Sequence, residues 1–525
     1  MASILHNFYN YFFLITVLFY NFFPKKARPW YLLLCSWFFF FLLSKKLVIF
    51  LILSIISIFI SGLIMTKLEK NLEQELTNCT KENKKVMKRK YQKKKQMALI
   101  GCLLFNLLFL FLFKYLNFFT LNANHLLALF HVSYRFNMIK LFAPIGISFY
   151  TLQALSYIID VYQNKIKASS NFLEVALFTS FFPCIMEGPI CRFPDTAKNL
   201  IAGEKITFHN LSFGLERILW GMLKKFIIAD RLNILVKTVF ANDTLFSGPT
   251  IFLGAFCYTI MLYMDFSGAM DVVIGIGEIY NVKIPENFRQ PFFSKNISEF
   301  WTRWHISLGT WFKDYIYYPI SLSKPMKKLT LKCRKLLGHI YGPLLSGTIS
   351  LLVVWLLNGL WHGAGWTFIL YGLFHFLMIS LGNITRPLLQ SLYQKWHISN
   401  SFLLKILQII KTNFLIILGE LIFRAESVHQ AFQMYHKIFT NFTFSQKEFS
   451  LLGVDFPDVF ILTLFGLLVL VIGILREKKI GIRSRLEHKN IFIRWIVLYL
   501  LIFSIIIFGA FGPGYEPVDP MYADF

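Results

Sequence analysis

Charge is what this sequence has least of. Only 16% of its 525 residues are Asp, Glu, Lys or Arg, where a soluble domain carries about 25%. Hydrophobic residues make up 56% and the mean hydropathy is +0.55. A soluble chain of this length would divide into domains with polar surfaces and linkers. Here apolar stretches recur from end to end, which excludes one large soluble core and points to a bilayer as solvent. Acidic residues are scarce, 28 against 54 Lys and Arg, for a net charge of +26. In a soluble protein that excess would suggest nucleic acid. In a membrane chain it marks cytoplasmic loops, so no nucleic-acid partner is expected. The seven cysteines form no CxxC pair and lie mostly in apolar runs, which argues against a disulfide framework and a zinc site. No internal repeat supports an inverted-repeat transporter. The N-terminus lacks a basic n-region, and its apolar run ends at Pro24-Lys25-Lys26 without a small-residue cleavage site; no cleavable signal peptide is expected. The apolar runs do not alternate as the strands of a membrane barrel would.

What is there is length. Residues 47–65, 251–264 and 460–475 carry no charge, and 491–511 only Arg494. With their flanks these are long enough to cross a bilayer, and in lipid the backbone must satisfy its own hydrogen bonds, so helices are the default. The expected fold is an all-α polytopic membrane protein with roughly ten to twelve transmembrane helices. It divides into N-terminal transmembrane segments (1–66), a basic, helical cytoplasmic loop (67–96), a core broken by polar, Trp-rich and Pro-rich stretches (97–425), and C-terminal transmembrane segments (426–525), all one membrane domain. Basic residues cluster at 67–95, 324–335 and 476–489 and at Lys25, Lys26 and Arg28. The positive-inside rule places all four in the cytoplasm, as solvated loops meeting anionic membrane lipids. Met1–Asn7 has no Lys or Arg, and the end carries Glu516, Asp519 and Asp524, so both termini are expected outside the cytoplasm.

Polar groups at membrane depth cost about 2.5–3.5 kcal/mol each when charged, and usually face a cavity or a partner. Four stretches stand out. Trp361-His362-Gly363-Ala364-Gly365-Trp366 puts an imidazole inside a long apolar segment. Its glycines allow close approach of backbone or substrate, and Trp366 falls four residues on, on the same helical face. A desolvated neutral histidine is a good general base, as acyl transfer to a hydroxyl requires; the structural alternative is a buried histidine bonded to a neighbouring helix. Residues 299–315 read as one amphipathic helix, interfacial or re-entrant. Arg303, Ser307, Thr310 and Asp314 share one stripe, and Trp304 and His305 lie on the other. His305 is either a second pocket histidine or part of an aromatic belt. In Asp265-Phe266-Ser267-Gly268-Ala269-Met270-Asp271, Ser267 and Asp271 share a face, and architectural polar contacts are the favoured role. Glu187-Gly188-Pro189 and Pro285–Gln290 mark breaks.

Taken together, these stretches resemble the membrane-bound O-acyltransferase family, in its bacterial alginate O-acetylase and peptidoglycan O-acetyltransferase branch. The matching blocks are PIGISFYTLQALSYIIDVY (144–162), FFPCIMEGPICR (181–192), DFSGAMD through ENFRQPF to FWTRWHISLGTWFKDYIYYPI (265–320), and LNGLWHGAGWTFILYGLFH (357–375), with a weaker one at Phe423-Arg424-Ala425. The resemblance implies transmembrane and re-entrant helices around a thinned centre with a tunnel. It carries the family's hallmark histidine onto His362 and its second histidine onto His305. It makes 97–425 the acyltransferase core in a bacterial inner membrane. It also implies an acyl thioester donor, acetyl-CoA first, with no tightly bound cofactor and no metal. The expected partners are an extracytoplasmic acetyltransferase or esterase-like protein and a polysaccharide as final acceptor. Asn358, one turn before His362, is a candidate oxyanion donor; Trp366, Trp304, Asp271 and Arg303 are candidate supporting residues. The competing functions are D-alanyl transfer to teichoic acids and a non-catalytic transporter or scaffold of a polysaccharide machine. The chain departs from the family in its ending, Gly512 to Phe525, and in the unusually basic stretch at 67–95.

Overall fold

The structure, a computed structural model, describes residues 12–77, 80–443 and 445–511. Met1–Asn7, Cys79 and the ending from Gly512, with Glu516, Asp519 and Asp524, lie outside them. The described residues are helical throughout and contain no strand. Among them, eight helices are long and apolar enough to cross a membrane, and the chain is a multi-pass membrane protein. Two of the eight are far longer than one crossing, Arg28–Thr77 with 50 residues and Asn83–Leu129 with 47. A straight 50-residue helix would reach about 75 Å against a hydrocarbon core of about 30 Å. The first is interrupted where Lys45 takes φ 49°, between α1 (Arg28–Ser44) and α2 (Val48–Thr77). The second is interrupted by a π-turn, Phe111–Tyr115, between α3 (Lys81–Leu110) and α4 (Leu116–Leu129). The basic stretch at 67–95 is not a separate element. α2 runs past residue 66 into it, α3 runs out of it past residue 96, and Lys95 is buried between Glu69 (2.6 Å) and Asn164 (2.8 Å).

Short helix α5 (Ile147–Tyr162) and helix α6 (Phe208–Leu223) pack into the interior. The central post is α7 (Gly248–Ile279), whose most apolar window is 72% buried, against 6–11% for the last two spans, α13 and α14 below. In lipid, helices gain little from hiding apolar surface from one another, so close packing needs small residues at the seam. A Cβ on Gly221 of α6 would stand 2.4 Å from the Gly268 carbonyl oxygen of α7, and one on Gly214 2.5 Å from that of Gly275. α7 runs unbroken through Asp265–Asp271 because its carboxylates meet cations on neighbouring elements. Asp271 pairs with Arg217 (3.0 Å) and Lys224 (2.6 Å), and Asp265 with Lys225 (2.7 Å), which also meets Asp230 (2.8 Å).

The segment read as one amphipathic helix over 299–315 is two. α8 (Ile297–Arg303) and α9 (Ile306–Phe312) meet at His305, which stands in the left-handed region at φ 45°, ψ 52°. Beyond them run α10 (Lys324–His362), which breaks at Gly338 (φ 75°) so that Thr330 of its first part reaches Ser346 of its second at 2.8 Å, then α11 (Trp366–Lys395), α12 (Phe402–Arg424), α13 (Phe456–Glu477) and α14 (Ile491–Phe508).

Candidate active site

α10 ends at His362 because Gly363 and Gly365 are fully extended (φ −173° and −156°), and α11 starts afresh at Trp366. This break decides two of the candidate residues in opposite ways. His362 is left at a helix end, buried, with its ring against Trp361, Phe423 and Tyr371 at centroid distances of 4.9, 5.2 and 6.1 Å. Trp366 does not share a face with it. Trp366 is 58% exposed, and its Nε1 donates to Asn122 Oδ1 at 3.0 Å. The four-residue spacing failed because no helix connects the two positions.

His305 is brought to the same place by a loop. Asn287, from the Pro285–Gln290 stretch, accepts the Ile306 N–H on its carbonyl (3.0 Å) and the Ser307 N–H on Oδ1 (2.9 Å). It thus satisfies donors at the start of α9 that a helix leaves orphaned. Arg289 N–H donates to the Arg303 carbonyl at 2.9 Å and closes the end of α8. With both helix ends fastened, the joint between them holds His305 in its left-handed conformation. Its Nδ1 lies 3.4 Å from Asn287 Oδ1, and its ring meets Phe266 at 4.8 Å and Trp361 at 5.5 Å. His305 lies outside the eight spans, and burial pushes its pKa down to about 3, so the imidazole is neutral at physiological pH.

His362 and His305 therefore both meet one indole, Trp361, and both line one cavity of about 560 Å³. Asn358 and Trp304 line it too. Three further polar atoms of lining residues, Asn358 Oδ1, Trp301 Nε1 and Ser380 Oγ, are buried without a hydrogen-bond partner among the described residues. Unsatisfied buried polar groups are uncommon, and here they face space that a polar ligand or water can fill. A second cavity of about 660 Å³ adjoins the first, sharing Ser298, Ile379 and Asn383. Its walls carry Lys295, Arg386, Lys405 and Lys411 and no acidic residue.

Two candidates lie elsewhere. Asp271 is held in the ion-pair network of α6 and α7 and does not line the cavity. Arg303 points away from it, to Glu299 (2.7 Å) and Glu477 (2.9 Å). Among the described residues no cluster of His, Cys, Asp and Glu could hold a metal ion.

The structure adds residues the sequence reading passed over. Lys114 reaches the end of α10, donating to the Trp361 carbonyl and to Ser148 Oγ (3.1 Å). Glu420 of α12 accepts a hydrogen bond from Tyr371 at 3.2 Å, directly behind His362. Each is the lone Asp, Glu, Lys or Arg of an apolar run, 97–129 and 412–423, a signal that was available. Asn287 had no such signal, since its role depends on where the loop folds.

Residues 164–332 match the family model for MBOAT, the membrane-bound O-acyltransferase family. The chain is 36% identical over 341 residues to a probable alginate O-acetylase of Pseudomonas aeruginosa, covering 64% of this chain and 59% of that protein. It is 33% identical over 316 residues to a peptidoglycan O-acetyltransferase of Helicobacter pylori, covering 55% of each. It is 29% identical over 263 residues to a teichoic acid D-alanyltransferase of Bacillus subtilis, covering 49% of this chain and 61% of that protein. The chain thus spans less than two thirds of the length of each of these relatives. The family match includes His305 and stops short of His362.

Proposed function

From the match of residues 164–332 to the membrane-bound O-acyltransferase family model, we propose that the chain moves an acetyl group from a cytoplasmic thioester to a hydroxyl, for O-acetylation of an extracytoplasmic polysaccharide. The observation that carries the reading is that His362 and His305 line one cavity and share contact with Trp361. In the reaction, neutral His362 takes the proton of the acceptor hydroxyl as its oxygen attacks the thioester carbonyl. The oxyanion that forms needs a donor, and the Asn358 amide, one turn before His362, is placed to supply it. Collapse breaks the carbon–sulfur bond, and the imidazolium returns the proton to the departing thiolate. No net proton is consumed. His305, fixed by Asn287, contributes a neutral ring to the cavity wall.

The adjoining basic cavity supports a phosphate-bearing donor such as acetyl-CoA, since clustered Lys and Arg side chains suit phosphate oxygens. It is lined by the later half of α11 together with residues of α12. The likeness to alginate and peptidoglycan O-acetylating proteins supports a polysaccharide acceptor, a bacterial inner membrane with both termini outside the cytoplasm, and an extracytoplasmic partner that completes the transfer. The test is base-labile acetate in envelope polysaccharide of cells lacking the chain, complemented with wild type or His362→Ala at equal membrane abundance. Wild type should restore the ester and His362→Ala should not. Full restoration by His362→Ala would mean a structural histidine and favour a scaffold. If wild type changes ester-linked D-alanine and leaves acetate unaltered, the D-alanyl reading replaces this one.

A further inference from the structure

The helix that delivers His362 ends inside the membrane protein, and its last turn has a problem that lipid makes severe. The final four carbonyls of a helix have no partner within it, and an unsatisfied carbonyl away from water costs several kcal/mol. Gly363 N–H serves the Gly359 carbonyl at 3.3 Å. The next two are served by consecutive residues of the π-turn some 245 positions earlier in the chain. Tyr115 OH donates to the Leu360 carbonyl at 2.9 Å, and Lys114 Nζ to the Trp361 carbonyl. Lys114 also donates to Ser148 Oγ on α5 at 3.1 Å and stands 5.8 Å from the centre of the Trp361 ring. Three helices are thereby joined at one ammonium, one residue before His362. A cation at a helix C-terminus also opposes the negative end of the helix dipole. The π-turn, a feature that recurs at functional sites, is where α3 departs from regular helix to present both side chains.

We propose that Lys114 is a positioning residue for His362: it fastens the C-terminal turn of α10 so that the imidazole keeps a single place between Trp361 and Tyr371 in the cavity. The role rests on the acyl-transfer reading above and adds to it a residue that acts through the Trp361 carbonyl. Lipid solvation alone would favour a leucine or methionine at position 114. The ammonium is kept there by the carbonyl it serves.

The test uses membranes containing the full chain and labelled acetyl-CoA, reading base-labile acetate incorporated into envelope material against acetyl-CoA concentration, per unit of chain. Lys114→Met should lower the maximal rate by about 100-fold, the effect of displacing a catalytic group by about 1 Å, with the KM for acetyl-CoA within about twofold of wild type. Lys114→Arg, which can still donate to the Trp361 carbonyl, should recover most of the rate. A Lys114→Met rate near wild type overturns the proposal, as does a joint loss of rate and KM that Lys114→Arg does not recover. Should Lys114→Met fail to accumulate, Ser148→Ala carries the test. It frees the ammonium from its second partner and should lower the rate several-fold at unchanged KM; an unchanged rate overturns the proposal. His362→Ala run alongside separates the two levels. An inactive His362→Ala with an active Lys114→Met refutes the clamp alone, and an active His362→Ala refutes the acyl-transfer reading itself.

Discussion

Gly372→Ala tests whether the seam between α10 and α11 sets the position of His362. A Cβ on Gly372 would lie 2.3 Å from the Trp355 carbonyl oxygen and 3.2 Å from its carbon. Both are backbone atoms of α10, so no side chain can rotate away. The facing position is equally tight, since a Cβ on Gly359 would lie 2.3 Å from the Phe368 carbonyl oxygen. Restoring an ordinary 3.4 Å contact from 2.3 Å requires the helices to part by 1.1 Å. Overpacking of this kind costs about 1–3 kcal/mol, set against a gain of about 1 kcal/mol for Ala over Gly within a helix. The protein should therefore still insert, at somewhat lower stability. Function should suffer far more, because His362 lies about two turns beyond Trp355 on the displaced helix, and a 1 Å misplacement of a reacting group costs about 100-fold in rate. The assay is acetate incorporation per unit of membrane-inserted chain. Gly466→Ala on α13 is the control, as its Cβ would meet nothing within 4 Å, and it should be neutral or slightly stabilising. A Gly372→Ala rate equal to that of Gly466→Ala would refute the claim that this seam sets the position of His362.

Two further substitutions separate architecture from chemistry. His305→Gly removes the imidazole and also the penalty of roughly 1–2 kcal/mol for a side chain in the left-handed region; thermal midpoint in detergent should be maintained or raised while acetate transfer falls, and unimpaired transfer would place His305 outside the reaction. Asp271→Asn leaves Arg217 and Lys224 buried without their shared carboxylate, a loss of about 3–5 kcal/mol for a broken buried pair. Folded yield should drop sharply while the surviving molecules keep their specific rate, and normal yield with a lost rate would return Asp271 to the site.

The blocks that carry the resemblance, scattered in sequence from residue 144 to 425, converge because each packs around the segments that carry the two histidines. Ser148 of the first receives Lys114, and the Ile190 N–H of the second donates to Ser307 of α9 at 3.0 Å. Phe266 of the third packs on His305, and Phe423 of the weak last match packs on His362. The sequence by itself determined the solvent and the helical class, since unbroken apolar runs fix both; it left His362 and His305 open between pocket and structural roles, the resemblance singled them out, and the structure brings them to one cavity. The sequence reading overreached wherever helical periodicity was extended across a break. Trp366 was placed on the face of His362, and Arg303 and His305 on two opposite stripes of one helix; both placements need the helices to continue, and extended glycines at 363 and 365 and a left-handed His305 end them. Only the tertiary structure decided which polar residues share the cavity. That choice depends on contacts between positions such as Lys114 and Trp361, or Asn287 and Ser307, and spacing along the chain carries no information about distances between helices that pack side by side.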